Sequence, residues 1–344
     1  MSVWLIRAGS HGEFEQKFFQ ENRVYVTWDK LASDLSKLAD REALFALMTA
    51  TYPDDKPKRI RNHSSQIWPF VSEMKKGDLV VMPLKSQPAV AFGEITGDYH
   101  FEGKGPNPFF HWRPVKWITE AVPRANFGQD LLFSFGAFMT ICRIQRNNAE
   151  SRLTAMRVNS WKPETMFDIT HDPQEPPPEG GGNADLEELG QDQIAKLIAA
   201  RFKGHSLTRL VEAILQAQGY ITYRSPEGTD GGADILAGNG PLGFGKPSLC
   251  VEVKSETGPI GRPAVDKLLG AVSKFGAEQG LFVSWSGFKG NVQKELAAQF
   301  FRVRLWSQKE LLEQLFAHYD HLDEDLKAEL PLKRIWTVAV QEEE

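Results

Sequence analysis

Apolar residues recur along this chain with two different periods, and the alternation between them sets out its elements. In the first half, β-branched and aromatic runs at Val3–Arg7, Arg23–Trp28, Asp78–Pro83, Ala89–Thr96 and Arg113–Trp117 are punctuated by Gly and Pro and predict strands. Two stretches repeat at helical spacing instead. One is Asp34–Ala50, through Leu35, Leu38, Leu44, Leu47 and Met48; the other is Ser64–Met74, stopped by Lys75-Lys76-Gly77. A small curled sheet or barrel with helical inserts is expected.

The second half reads differently. Leu207, Leu210, Val211, Ile214 and Leu215 form one apolar stripe, with Gly219 where a helix stop belongs. Strands are predicted at Tyr220–Ser225, Asp234–Ala237 and Ser248–Lys254, then a helix near Pro263–Phe275 and a strand at Gly280–Trp285. A helix near Val292–Phe300, a strand at Arg302–Trp306 and a helix at Gln308–Tyr319 follow. That order makes a mixed α/β core. Between the halves, residues 171–192 (HDPQEPPPEGGGNADLEELGQD) are too rich in Pro, Gly and acid to bury a core, and a helix is predicted over Asp185–Lys203. The expected organisation is a domain at 1–165, a linker with a terminal helix at 166–204, and a domain at 205–344.

Composition changes this picture little. A length of 344 residues calls for more than one core, and 41% hydrophobic with 25% charged residues is ordinary for a soluble globular chain. No apolar run approaches the ~18 residues of a membrane span, and MSVWLIRAGSHGE lacks the layout of a signal peptide. Cys142 and Cys250 stand far apart without a second Cys or paired His nearby, so a reducing cytoplasm is expected. The net charge of −5 is uneven: 1–165 carries 22 Lys and Arg against 18 Asp and Glu, while 166–192 carries 8 acids and no base. Net charge therefore does not argue against a phosphate-binding surface.

The chemistry gathers in the second half. On a strand, Val251 and Val253 point one way and Glu252 and Lys254 the other, so one face is apolar and the other offers a carboxylate beside an ammonium. Upstream, Gly228-Thr-Asp-Gly-Gly-Ala-Asp234 brings Asp234 to the mouth of the preceding strand, with Gly231 and Gly232 freeing the backbone. If the two strands pair as a hairpin, Asp234 lies beside Glu252. Alone, E-x-K is a common exposed ion pair of little worth; joined to Asp234, it makes two converging carboxylates that repel unless a cation sits between them. Hard oxygen donors favour Mg²⁺, with Mn²⁺ as substitute. Lys254 would orient or deprotonate a water, or neutralise charge at phosphorus. Gly238-Asn-Gly-Pro-Leu-Gly243 fits a dinucleotide fingerprint only formally; Pro241 and the lack of a following helix make it a loop.

With these residues in view, 205–319 resembles the catalytic domain of Mrr-like restriction endonucleases, within the PD-(D/E)XK nucleases. The resemblance rests on Gly219-Tyr220, Asp230-Gly-Gly-Ala-Asp234, Val251-Glu-Val-Lys254, Val265-Asp-Lys-Leu-Leu-Gly270 and Gly280-Leu-Phe-Val283. It implies metal ligation by Asp234 and Glu252, catalysis with Lys254, and an added acid from the first helix, Glu212; Asp230 reads as a turn residue. Many members carry Gln where Glu252 stands.

Residues 1–165 are similar to EVE-like domains of the PUA/YTH group, through Trp4-Leu-Ile-Arg7, Trp28, Lys76-Gly-Asp-Leu-Val-Val81, Gly93-Glu-Ile-Thr-Gly-Asp-Tyr99 and Arg113-Pro-Val-Lys-Trp117. Such domains read modified bases in an aromatic cage, which implies a pocket of Trp28 and Asp29 with Trp112 as a wall. Trp4, Trp68 and Trp117 are expected in the core. A flipped base needs such a pocket to offset the few kcal/mol of unstacking. The reading that follows is an α+β, PUA/EVE-like barrel domain joined to an α/β nuclease. It would be a modification-dependent restriction endonuclease acting on double-stranded DNA as a homodimer, at least when bound. The rivals are a repair or RNA-processing nuclease indifferent to modification, and a reader without catalysis.

Overall fold

The computed structural model describes residues 1–137, 139–163, 186–226, 228, 232–256, 258–289, 292 and 299–336. Two compact units divide it, one within Met1–Gly190 and one spanning Gln191–Trp336. Most of the linker, Asp230, Gly231 and most of the helix expected near Val292–Phe300 lie outside the described residues. Among the described residues no helix is long and apolar enough to cross a membrane.

The first unit runs β1 (Val3–Ile6), α1 (Glu15–Glu21), β2 (Arg23–Val26), α2 (Arg41–Thr51), α3 (Pro57–Ser72), β3 (Leu79–Pro83), β4 (Ala89–Ile95), β5 (His100–Phe101), β6 (His111–Pro123), α4 (Gln129–Phe135), β7 (Ile141–Ile144) and α5 (Ala149–Val158). Seven strands make one mixed sheet, ordered β2-β6-β4-β3-β1-β7 with β5 added on β6. Only β1 and β3 pair in parallel. β2 and β7 end the order unpaired with each other, so the expected barrel is an open, curled half-barrel. Its curl is set where the β4–β6 ladder shifts register on either side of Phe92. Gly93 permits the crossing, since a Cβ there would meet Val115 Cγ2 at 2.5 Å.

Alternation along β1 shows why both faces are covered. Trp4 and Ile6 enter a core with α1, α2 and α3 on one side, while Val3 and Leu5 enter another with α4 and α5 on the other. The helix expected over Asp34–Ala50 is two pieces, because two carboxylates each cap their own start. Asp34 accepts the Ser36 N–H ahead of a single turn, and Asp40 accepts the Ala43 N–H at 2.9 Å to begin α2. α3 starts earlier than the apolar pattern suggests, since Pro57 occupies the first helical position.

The second unit comprises the last turns of α6 (Leu186–Arg201), then α7 (His205–Ala217), β8 (Ile221–Arg224), β9 (Ile235–Asn239), β10 (Gly245–Lys254), α8 (Arg262–Phe275), β11 (Gln279–Ser284), β12 (Val303–Trp306), α9 (Gln308–His318) and α10 (Glu324–Glu329). Its five-stranded sheet is ordered β12-β11-β10-β9-β8. β8, β9 and β10 pair antiparallel, and β10, β11 and β12 pair parallel. Residues of α7 and α9 cover one face, against Ile235, Val251, Val253 and Val283. α8 covers the other at Cys250 and Phe282. It comes close because Gly280 has no side chain; a Cβ there would sit 3.0 Å from Val272 Cγ2.

Candidate active site

β10 carries the alternation that its sequence promises: Val251 and Val253 are buried beneath α7 and α9, and Glu252 and Lys254 are half-buried on the opposite side. Lys254 Nζ lies 2.7 Å from Glu252 Oε1. Ile235 pairs with Val251, so Asp234 stands one step past the last regular pair, at the level of Glu252. There the ladder changes character. Asp234 N–H donates to Val251 O at 2.9 Å, and the next rung is made by its side chain, Oδ2 accepting the Val253 N–H at 2.6 Å. Asp234 is thus fixed between Val251 and Val253, beside Glu252.

The electrostatics report the same convergence. Burial first, then the charges of Glu252 and Asp234, push the Cys250 thiol up to about 11. Burial opposes the Lys254 charge, but the hydrogen bond and charge of Glu252, with Asp234 and Glu256, hold the ammonium above its usual range. Both groups therefore sense both carboxylates. Among the described residues no group of three or more His, Cys, Asp or Glu side chains is placed to hold a metal. The donor set on offer is two carboxylates, all oxygen. That set fits Mg²⁺, which binds through one or two carboxylates and keeps waters as its other ligands.

Glu212 is placed otherwise. It lies on α7, where Oε1 accepts from Thr222 Oγ1 at 3.0 Å and Oε2 faces Arg224 Nε at 3.4 Å. These partners belong to β8, on the sheet face that carries Val251 and Val253 rather than the face of Glu252. Arg224 pairs with Ile235, which pairs with Val251, so Glu212 reaches the same end of the sheet from the opposite side.

In the first unit, Trp28 packs on the core and meets His63 of α3 edge-on, with centroids 5.5 Å apart. Asp29 Oδ1 accepts from Asn107 Nδ2 at 3.3 Å, and Lys30 N–H donates to Asn107 Oδ1 at 2.7 Å. His111 steadies the same segment. Its Nε2 donates to Leu31 O at 2.6 Å and its Nδ1 accepts from Tyr99 Oη at 2.7 Å, a pairing that a neutral ring satisfies. Burial above all lowers its pKa, against the pull of Leu31 O and Asp34.

Trp112 departs from the expected wall. Arg23 Cζ lies 3.8 Å from its centroid and His100 stacks on it at 4.2 Å. Two groups that close cannot share one side of a ring, so both faces are occupied and a base stacks there only by displacing one. Trp4 is buried, with Nε1 donating to Asp78 Oδ2 at 2.9 Å, and Trp68 and Trp117 pack on the same core. Asn107, His63 and Arg224 carry no motif that would have singled them out; only strand pairing brings them to these sites.

Comparison with known proteins gives two family matches. The model described as a restriction endonuclease matches residues 199–315, and one described as a domain of unknown function (DUF8426) matches 4–131. No curated protein matches the chain. Three solved structures show a distant likeness. The DNA modification-dependent restriction endonuclease AspBHI is 15% identical, with 80% of this chain and 74% of that one covered and a TM-score of 0.34. The MspJI restriction endonuclease in complex with a 27-mer oligonucleotide is 13% identical, with 95% and 79% covered and a TM-score of 0.31. The protein of unknown function AF1548 is 15% identical, with 36% and 77% covered and a TM-score of 0.26. Scores this low bear no weight for the assignment. The family match does, because it takes in α7 through β12 and with them Asp234, Glu252 and Lys254: residues 199–315 form a restriction endonuclease catalytic domain of the Mrr type.

Proposed function

We propose that the chain is a modification-dependent restriction endonuclease, with a PUA/EVE-like reader in 1–165 and a PD-(D/E)XK nuclease in 205–344 joined by the 166–204 linker. The observation that carries the catalytic half is the placement of Asp234 beside Glu252, with Lys254 donating to Glu252 across 2.7 Å. Asp234 and Glu252 would hold Mg²⁺, or Mn²⁺ in its place. When bound, the ion activates a water and offsets negative charge on the phosphodiester.

The chain's own residues do the rest. Val253 N–H orients the Asp234 carboxylate by binding one of its oxygens beside Glu252. Lys254 brings a positive charge to the same point, where a phosphodiester needs it in the transition state. Glu212 is kept as the third acid of this proposal, braced by Thr222 and Arg224 at the same sheet end. In the first unit, Trp28 offers an aromatic edge and Asp29 an acceptor for an exocyclic amino group. Trp112 joins the pocket only if His100 or Arg23 moves aside. The substrate would be double-stranded DNA carrying a modified base, met in the cytoplasm by a homodimer.

Matched plasmids carrying no modification, 5-methylcytosine, 5-hydroxymethylcytosine or N6-methyladenine, each incubated with Mg²⁺, test the proposal. Cleavage confined to one or two modified substrates is the expected result. Equal cleavage of all four removes the reader half, and cleavage of none removes the nuclease half.

A further inference from the structure

β8 is the last strand of the second unit's sheet, and its outer edge is apolar where an isolated edge is normally charged or covered. Ile221 and Tyr223 are 50% and 59% exposed on the face opposite α7, while Thr222 and Arg224 turn toward α7 and Glu212. The β9–β10 turn extends this surface. Leu242 and Phe244 there are 74% and 89% exposed, among the most exposed large apolar side chains described. The turn is held against β8, since a Cβ on Gly243 would meet Ile221 Cβ at 3.1 Å. It is also tightly closed on itself, because a Cβ on Gly238 would fall 1.9 Å from Gly243 O. Four apolar side chains are thus presented on a rigid edge.

We infer that this edge joins a second copy of the chain, β8 pairing antiparallel with its own twin about a two-fold axis at Thr222. The register argues for a copy over an unrelated partner. Residues directly opposite in a sheet share a face, so an antiparallel self-pair centred on Thr222 sets Ile221 against the twin's Tyr223, and Tyr223 against its Ile221. Aromatic with β-branched is a favourable cross-strand pair. The area also suits. Fully covered, Ile221, Tyr223, Leu242 and Phe244 would remove at most roughly 500 Å² per copy, about 1,000 Å² per pair, which with the joined backbones approaches the roughly 1,200 Å² at which specific interfaces begin.

The arrangement bears on the reaction, and here it rests on the nuclease reading. The axis stands perpendicular to the sheet, so both copies present Asp234, Glu252 and Lys254 on the same face. Asp234 lies about three residues along from the axis and, at the start of the strand next to β8, about one and a half strand spacings in from it. At about 3.3 Å per residue and about 4.8 Å between strands, the two sites stand roughly 25 Å apart.

Two variants of the full chain test it, both at exposed positions. I221K/Y223K places like charges across the axis. Sedimentation is measured for the free chain and for the chain on a modified duplex in Ca²⁺. The wild type is expected as a dimer in at least one of these, and the variant as a monomer in both. With Mg²⁺ the variant should nick supercoiled plasmid at the wild-type rate and linearise it at least ten-fold more slowly. I221C/Y223C reads the register: mild oxidation should yield a covalent dimer on a non-reducing gel, uncomplicated by Cys142 and Cys250, which are buried. A wild type that is monomeric in both states, a dimer indifferent to I221K/Y223K, or no covalent dimer overturns the interface. Absence of all cleavage, with dimerisation and cross-linking intact, would instead count against the nuclease reading alone.

Discussion

Replacing Asp234 by Asn separates what the residue does for the fold from what it would do for an ion. Asn keeps an acceptor toward the Val253 N–H, now 2.6 Å from Oδ2. A hydrogen bond to a charged group contributes about 1.5–3 kcal/mol and a neutral one about 0.5–1.5 kcal/mol, so the exchange costs about 1 kcal/mol. Opposing that loss is relief of repulsion from Glu252. At the facing-pair distance of about 5 Å, two unit charges at an effective dielectric of about 20 repel by about 3 kcal/mol. Lys254, 2.7 Å from Glu252, already cancels much of this. The two effects are of similar size, and the metal-free variant should differ from wild type by less than about 1 kcal/mol.

Mg²⁺ breaks the tie. A ligand that binds only the folded state stabilises it by RT ln(1 + [L]/Kd), about 1.4 kcal/mol at ten times Kd. For a unit of this size that raises Tm by about 3–6 °C. Melting followed by circular dichroism, with and without Mg²⁺, should therefore show a rise in the wild type, none in Asp234→Asn, and nearly equal curves without the ion. Cleavage of a modified plasmid should fall in parallel. An equal Mg²⁺-dependent rise in both proteins would refute the assignment of Asp234 as a ligand, whatever happened to activity.

Lys254→Ala should do the reverse, keeping the Mg²⁺-dependent rise in Tm while single-turnover cleavage slows by about 10²–10³-fold, the usual loss when one charge-stabilising donor is removed. His111 predicts a pH effect in the first unit. Burial holds its pKa below the ordinary 6.5, so as pH falls below that value the unfolded chain takes up a proton that the folded chain refuses. Stability is thus complete above pH 6.5 and declines toward the depressed folded pKa. His111→Gln should flatten the pH dependence of urea unfolding in that window, and an unchanged slope would exclude His111 as its source. Gly238→Ala should cost about 1–3 kcal/mol in the same urea assay, because its Cβ meets a backbone oxygen that only an opened turn can move.

How far the sequence carries depends on whether a feature is set locally. Alternation at Val251-Glu-Val-Lys254 foretells the buried and open faces of β10, and the loop read at Gly238–Gly243 joins it to β9, with which it pairs antiparallel. The fate of Glu212 is not local. Helical spacing says that it flanks an apolar stripe, but only the β8–β9 pairing shows that Thr222 and Arg224 engage it. Trp112 is a stronger case: its two covers, Arg23 and His100, come from strands on opposite sides of β6, one of them nearly ninety positions away. The elements that escaped notice are α1, β5, α4, β7, α5 and α10, and all but α5 have seven residues or fewer. α1 and α4 have seven residues each and β7 has four, too few for a period to rise above background.

The position of the candidate site follows from the topology that these elements share. β10 is the strand at which the sheet changes from antiparallel to parallel pairing. β9 must therefore begin where β10 ends, which brings Asp234 to Glu252, while β11 ends there too, with Lys254 opposite Ser284. The segments leaving β10 and β11 then emerge together. Trp285 N–H donates to Lys254 O at 3.0 Å, and Ile260 exchanges backbone hydrogen bonds with Gly287 and Lys289 at 2.9 Å each. At this end of the sheet two carboxylates and an amine stand together because one side chain, that of Asp234, has taken over a rung of the ladder. The same substitution of side chain for backbone that ends the β9–β10 pairing also fixes an oxygen donor at the sheet's end.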